Sequence, residues 1–259
     1  MRIPKGGVAF FDSGIGGLTV LHECAKRMQD ETFYYFGDNT HAPYGNRSPK
    51  TIKKFVFRAF EKIARLKVKA AVVACNTATA LCVEELRKKY PFPIIGAEPA
   101  LFLAAKRGGE VLVLATDATT KSPRFLSLCA RANLRYPKAR FTVVPCPHLA
   151  GAIERHLTDE HFDYTPFLPQ ATPQAVVLGC THYIYLKERV EKFYGAEVYD
   201  GNEGIAERLR YFLLSQNRDS QPLATPLIKE PKNPQIFFLG SRKRYNRHIF
   251  EQMFVNIRK

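Results

Sequence analysis

A chain of 259 residues, 46% of them hydrophobic, is long enough for one large domain or two smaller ones around a real core, which sets aside a disordered chain. No apolar run reaches bilayer length, and the opening MRIPKGGVAFFDSG lacks the apolar stretch and cleavage site of a leader, so a soluble, cytoplasmic protein with no membrane partner is expected. The net charge of +15 is spread at helical spacing through KTIKKFVFRAFEKIARLKVK, ELRKKY, KERVEKF and SRKRYNRH, which points to solvated helix faces and a pull on small anions; nucleic-acid binding is not expected.

In chain order, apolar runs alternate with amphipathic stretches. GVAFFDSG predicts a strand ending in a Gly-rich turn, LTVLHECAKRM a helix, TFYYFGD a strand and SPKTIKKFVFRAFEKIARL a long helix with a Ser-Pro start. AAVVAC is a third strand, ATALCVEELRKKY a helix closed by Pro91, and PFPIIGAEP a short strand and turn. EVLVLAT restarts the pattern after Gly108 and Gly109. A helix around SPRFLSLCARA, strand FTVVPC, helix HLAGAIERHL, strand AVVLGC, helix YLKERVEKFYG, strand EVYD and helix GIAERLRYFLLSQ follow. DSQPLATPLIKEPKNPQ is expected to be a surface loop, and QIFFLGSRKRYNRHIFEQMF a last strand and helix returning to the first half. Strands alternating with helices imply an α/β fold of parallel sheets, here as two lobes, with DSG, CNT, ATDAT and CTH at strand ends where ligands bind.

Two segments share one plan. AVVACNTATAL and AVVLGCTHYIYL each run from a β-branched strand onto a cysteine, Cys75 and Cys180, and then into a helix-compatible stretch. A thiol at such a junction faces unpaired backbone amides and the positive end of the helix dipole, which favour its thiolate. Of the other cysteines, Cys24, Cys82 and Cys129 sit in helix-like apolar company and are expected to be packing residues.

Other chemistries fit less well. Gly14 and Gly16 match the start of a dinucleotide fingerprint, but Thr19 stands where its third glycine belongs. Cys146-Pro147-His148 and Cys180-Thr181-His182 have a Cys-x-His spacing that zinc accepts, yet neither lies in a ligand-rich loop, and no metal is expected. Cys-x-x-Cys is lacking, which removes a thioredoxin-like motif. A Cys180–His182 nucleophile, as in a hydrolase, leaves Cys75 without a task. A pair of thiols acting as acid and base on opposite faces of one carbon employs both.

FFDSGIGGLTV, FGDNTHAPYGNRS, VVACNTATA, GAEPA, ATDAT, CPHLAGAIE, VVLGCTHY and YDGNEGIA occur in this order over nearly the whole chain. Together they resemble the cofactor-independent glutamate racemases of bacterial cell-wall synthesis. The resemblance implies two flavodoxin-like lobes with the active site between them, drawn at 1–97 with about 207–259, carrying Asp12 and Cys75, and at 98–206, carrying Glu154 and Cys180. It implies Cys75 and Cys180 as the acid-base pair, Asp12 assisting the first, and Glu154 with His182 assisting the second. Substrate contacts are implied for Asp12, Ser13, Tyr44, Gly45, Asn76, Thr77, Thr116, Thr119, Thr181 and His182. The substrate is then glutamate and no cofactor is needed; a homodimer is compatible with this picture. Aspartate and hydantoin racemases and a related decarboxylase share the fold and cysteine placement, so the size of the substrate stays open. The chain departs from the family at Ile184, where proline usually follows His-Tyr, in the shortened GAEPA turn, and at Asn39-Thr40-His41.

Overall fold

A parallel strand buried on both faces needs apolar residues throughout rather than at alternate positions, and VAFFD meets that need: all five of its residues are buried in β1 (Val8–Asp12). The computed structural model describes residues 4–218 and 233–254. After β1 come α1 (Gly17–Arg27), β2 (Thr32–Gly37), α2 (Pro49–Ala64), β3 (Ala70–Val73), α3 (Asn76–Lys89), β4 (Ile94–Gly96) and α4 (Leu101–Ala105). The pattern restarts with β5 (Gly109–Ala115), α5 (Asp117–Thr120), α6 (Pro123–Arg135), β6 (Ala139–Pro145), α7 (Leu149–His156), β7 (Ala175–Gly179), α8 (Lys187–Tyr194) and β8 (Glu197–Tyr199). It closes with α9 (Asn202–Arg218), β9 (Gln235–Gly240) and α10 (Lys243–Phe254). No described helix is long and apolar enough to cross a membrane. Most of the segment expected as a Pro-rich surface loop, 219–232, lies outside the described residues.

The strands form two wholly parallel sheets, ordered β4-β3-β1-β2-β9 and β6-β5-β7-β8. Apart from β9 the two are wound alike. In each sheet the strand order reverses direction beside its first strand, so the crevices that open there lie at the carboxyl ends of β1 and β3 and of β5 and β7. β9 extends the first sheet by pairing with β2 from Thr32↔Gln235 to Gly37↔Gly240. α9 already joins that lobe's core through Ile205, Ala206 and Leu209, which pack with Leu18 and Leu21 of α1.

Local chemistry sets the helix starts. Ser48 Oγ accepts the Thr51 amide ahead of Pro49, and Ser122 Oγ accepts the Phe125 amide ahead of Pro123, each an N-cap followed by proline in the first turn. α4 and α5, of 5 and 4 residues, had no counterpart in the sequence pattern, since they are too short to show a helical period. The run after Cys180 also differs from expectation. Tyr183–Leu186 forms a 3-10 turn and α8 begins only at Lys187. Two tyrosines fix that turn: the Tyr183 hydroxyl donates to the Cys146 carbonyl inside the second lobe (2.7 Å), while that of Tyr185 crosses to the Ile15 carbonyl of the first (2.8 Å).

Candidate active site

The carboxyl ends of β1, β3, β5 and β7 bring the DSG, CNT, ATDAT and CTH segments to one inter-lobe cleft, closed enough that Cys75 and Cys180 are only 5% and 6% exposed. Cys75 is the N-cap of α3. Its Sγ accepts the Ala78 amide at 3.4 Å and donates to Ser13 Oγ at 3.6 Å. Burial first, and the Asp12 carboxylate second, push this thiol up to about 12, against the partial help of the Ala78 amide and Ser13. In the closed form Cys75 therefore carries its proton.

Cys180 is served differently. With α8 displaced to Lys187, no α-helix begins at this thiol, and its partner is instead His182 Nδ1 at 3.9 Å. His182 Nε2 is 2.7 Å from Glu154 Oε1, and the same oxygen accepts the Ile15 amide of the opposite lobe at 2.9 Å. Burial works against the His182 imidazolium, but hydrogen bonds to Cys180 and Glu154, together with their charges, outweigh it and hold the ring well above its ordinary value. A cation is therefore held beside Cys180. The two cysteines thus sit in unlike settings, one with a carboxylate nearby and one with an imidazolium.

Asp12 ties these halves together. Its Oδ1 accepts the Gly14 amide at 2.9 Å and its Oδ2 accepts the Thr181 hydroxyl at 3.1 Å, across the cleft. Complete burial raises its pKa, with His182, the Gly14 amide and Thr181 pulling the other way. A carboxyl whose folded value lies above its unfolded value is stabilising below the unfolded value, and that contribution is lost as pH rises through the folded one. Burial of Asp12 accordingly costs stability once the pH is above its unfolded value. Asp12→Asn is expected to melt above the wild type at about pH 7 and to lose most of that advantage at about pH 4, while its turnover falls by about 100-fold. Thermal melts at the two pH values check this, and an equal difference at both would reject it.

The remaining expected residues are placed as follows. The Thr77 hydroxyl at the start of α3 lies 2.8 Å from that of Thr116 and 3.4 Å from that of Thr119, and these two are 2.8 Å apart, giving a buried hydroxyl triangle between the lobes. Asn76, 8% exposed, has a buried Oδ1 with no hydrogen-bond partner among the described residues. Tyr44 is buried and donates to Asp38 Oδ2 at 2.6 Å, so its hydroxyl points into its own lobe; Gly45 lies against Thr116, whose Cβ would be 2.9 Å from a side chain there. Among the described residues no three metal-ligating side chains cluster, and His148 is exposed.

Gly14 and Gly16 gain a reason that the pattern did not reveal. A Cβ on Gly14 would overlap the Glu154 carboxylate and lie 3.1 Å from His182 Nε2, and one on Gly16 would meet the Thr181 hydroxyl and lie 2.7 Å from both the backbone and Nδ1 nitrogens of His182. They are the points where the second lobe presses on the first. Pattern reasoning also missed Tyr35, whose hydroxyl donates to the Gly14 carbonyl at 2.7 Å, Tyr185 on Ile15, and Asp38 beneath Tyr44. In sequence each resembles a core aromatic or a strand-end acid, and only the distant partner distinguishes it.

Comparison with known proteins places this arrangement. The model of the Asp/Glu/hydantoin racemase family matches residues 18–209. The glutamate racemase of Clostridium novyi is 39% identical over 225 residues, covering 83% of this chain and 86% of its own, and glutamate racemase 2 of Bacillus subtilis is 35% identical over 229 residues, covering 82% and 83%. Among solved structures, Escherichia coli glutamate racemase in complex with L-glutamate and an activator superposes with a TM-score of 0.78 at 28% identity, covering 97% of this chain and 96% of that one. A glutamate racemase isoform of Bacillus anthracis gives 0.76 at 27%, covering 96% and 94%.

Proposed function

Since the chain belongs to the Asp/Glu/hydantoin racemase family, whose members are isomerases, we propose that it interconverts L- and D-glutamate by passing the α-proton through Cys75 and Cys180. The observation that carries this reading is the asymmetry of the two buried thiols. In the L-to-D direction the Cys180 thiolate, beside the His182 imidazolium, takes the α-proton. The Cys75 thiol returns one to the opposite face, which leaves Cys180 protonated and Cys75 as the thiolate. Proton exchange with the medium resets the pair, and D-to-L runs the same steps backwards.

Helix N-terminal amides at Asn76 and Thr77, with the hydroxyls of Ser13 and Thr181, are suited to the α-carboxylate, where charge accumulates as the proton leaves. The unpaired Asn76 Oδ1 suits the substrate ammonium, and the Thr77–Thr116–Thr119 hydroxyls suit the side-chain carboxylate. Asp12 and the Glu154–His182 pair would assist proton transfer at Cys75 and Cys180 respectively. The two lobes, with the first taking in α9 from Asn202, would part to admit substrate and close over it. D-glutamate supplied this way would serve peptidoglycan synthesis in the cytoplasm.

Circular dichroism of D-glutamate with purified protein and no added cofactor is expected to decay to zero. D-aspartate, one methylene shorter, should react about 10 to 200 times more slowly in kcat/KM. Equal rates would move the assignment to an aspartate-type racemase, and an unchanged signal with both would reject racemisation.

A further inference from the structure

Among the described residues, helices cover the five-stranded sheet unequally at its β9 edge. α10 closes β9 on one face, where Phe238 packs with Ile249 and Phe250. On the other face Phe237 and Leu239 are only partly buried. There a groove of about 540 Å³ runs between α2 and the carboxyl ends of β2 and β9, within the range of small-ligand sites.

The floor of the groove is apolar, formed by Phe36 and Leu239 of paired strands with Phe55 and Leu66 at its sides. One wall is cationic. Arg58 and Lys62 line it, one helical turn apart, and they belong to the exposed row Lys50, Lys54, Arg58 and Lys62 at four-residue spacing. Like charges so spaced repel. None of the four makes an ion pair among the described residues, while the neighbouring acids Glu85 and Glu61 are taken by Lys53 and Lys89. The Lys62 ammonium lies over the Phe36 ring, 5.9 Å from its centroid, so charge and apolar floor adjoin. The far end is closed by Asp38, His41 and Ser241. Asp38 is engaged on both oxygens there, by His41 Nδ1 at 2.8 and 2.9 Å and by the Tyr44 hydroxyl at 2.6 Å.

We propose that this groove is a binding site for a small phosphomonoester on a flat apolar body. Two cations one turn apart match a dianion, and the apolar floor needs a partner that inorganic phosphate cannot supply. The site lies on the outer flank of the first lobe, apart from both cysteines, and does not depend on which amino acid the cleft accepts.

Equilibrium dialysis of phenyl phosphate against the full-length chain, without glutamate, tests this directly. One saturable site is expected, with inorganic phosphate and phenol each binding at least about tenfold more weakly. The double variant R58Q/K62Q should weaken phenyl phosphate at least about tenfold, whereas K88Q/K138Q, of the same net charge but altered elsewhere, should bind as the wild type does. Racemase activity near the wild-type level in R58Q/K62Q would show that its fold is intact. Binding that is absent, equal for phenyl phosphate and either fragment, retained in R58Q/K62Q, or lost equally in K88Q/K138Q would overturn the proposal.

Discussion

Cys75→Ala and Cys180→Ala are each expected to lower racemisation by about 10,000-fold or more, a barrier increase of about 5 kcal/mol. In the proposed mechanism each sulfur serves one face of the α-carbon, so neither can replace the other. The loss must appear in both directions. L- and D-glutamate have equal free energies in an achiral solvent, which fixes the ratio of their kcat/KM values at unity for every variant and every pH. A single-cysteine variant cannot therefore become a one-way racemase, and initial rates alone cannot tell which thiol serves which enantiomer.

Isotope exchange can tell them apart. With serine at position 75 the Cys180 side still removes and returns a proton, so L-glutamate in deuterated water should gain deuterium without inverting. Serine at position 180 should give the corresponding result with D-glutamate. The two thiols also differ in setting, since burial and Asp12 push Cys75 up to about 12 while Cys180 adjoins the His182 imidazolium. Exchange in C75S that favoured D-glutamate would reverse the assignment. Racemisation within about tenfold of wild type in C75A would rule out a two-thiol mechanism, because loss of a general acid or base costs more than that.

The framework of this site was legible because its signals are local. A strand buried on both faces reads as an unbroken apolar run, and in a doubly wound sheet its carboxyl end is where ligands sit, so VAFFD, AVVAC and AVVLGC located the DSG, CNT and CTH segments. The thiol cap of α3 was legible for the same reason. What depended on distant partners was not. Tyr183 and Tyr185 look like the first turn of a helix until their hydroxyl partners, on different lobes, are known. Tyr35 reads as one more aromatic of a core strand. Gly14 and Gly16 suggest a nucleotide turn, whereas their surroundings are a carboxylate and an imidazole some 140 and 165 residues away along the chain.

Gly14→Ala is accordingly expected to reduce kcat/KM by about 100-fold or more, the scale associated with a misplacement of about 1 Å at a reacting centre. Its methyl group would occupy the position of the Glu154 carboxylate. Relief requires moving that carboxylate, which breaks the bond from the Ile15 amide and the contact with His182 together, or holding the lobes apart. Either response removes the partner that keeps His182 charged beside Cys180. Gly204→Ala is the contrasting change, since nothing lies within 4 Å of a methyl group there and the residue is exposed in α9; it should gain up to about 1 kcal/mol of stability and keep its activity. Alkylation separates imperfect closure from misfolding. Cys75 and Cys180 are nearly inaccessible in the closed form, so in Gly14→Ala they should react with iodoacetamide several-fold faster than in the wild type, while Cys24, fully buried in the core of the first lobe, stays protected. Wild-type activity in that variant would show that the contact between Gly14 and Glu154 does not limit closure, and faster alkylation of Cys24 as well would mean that the substitution had loosened the whole lobe.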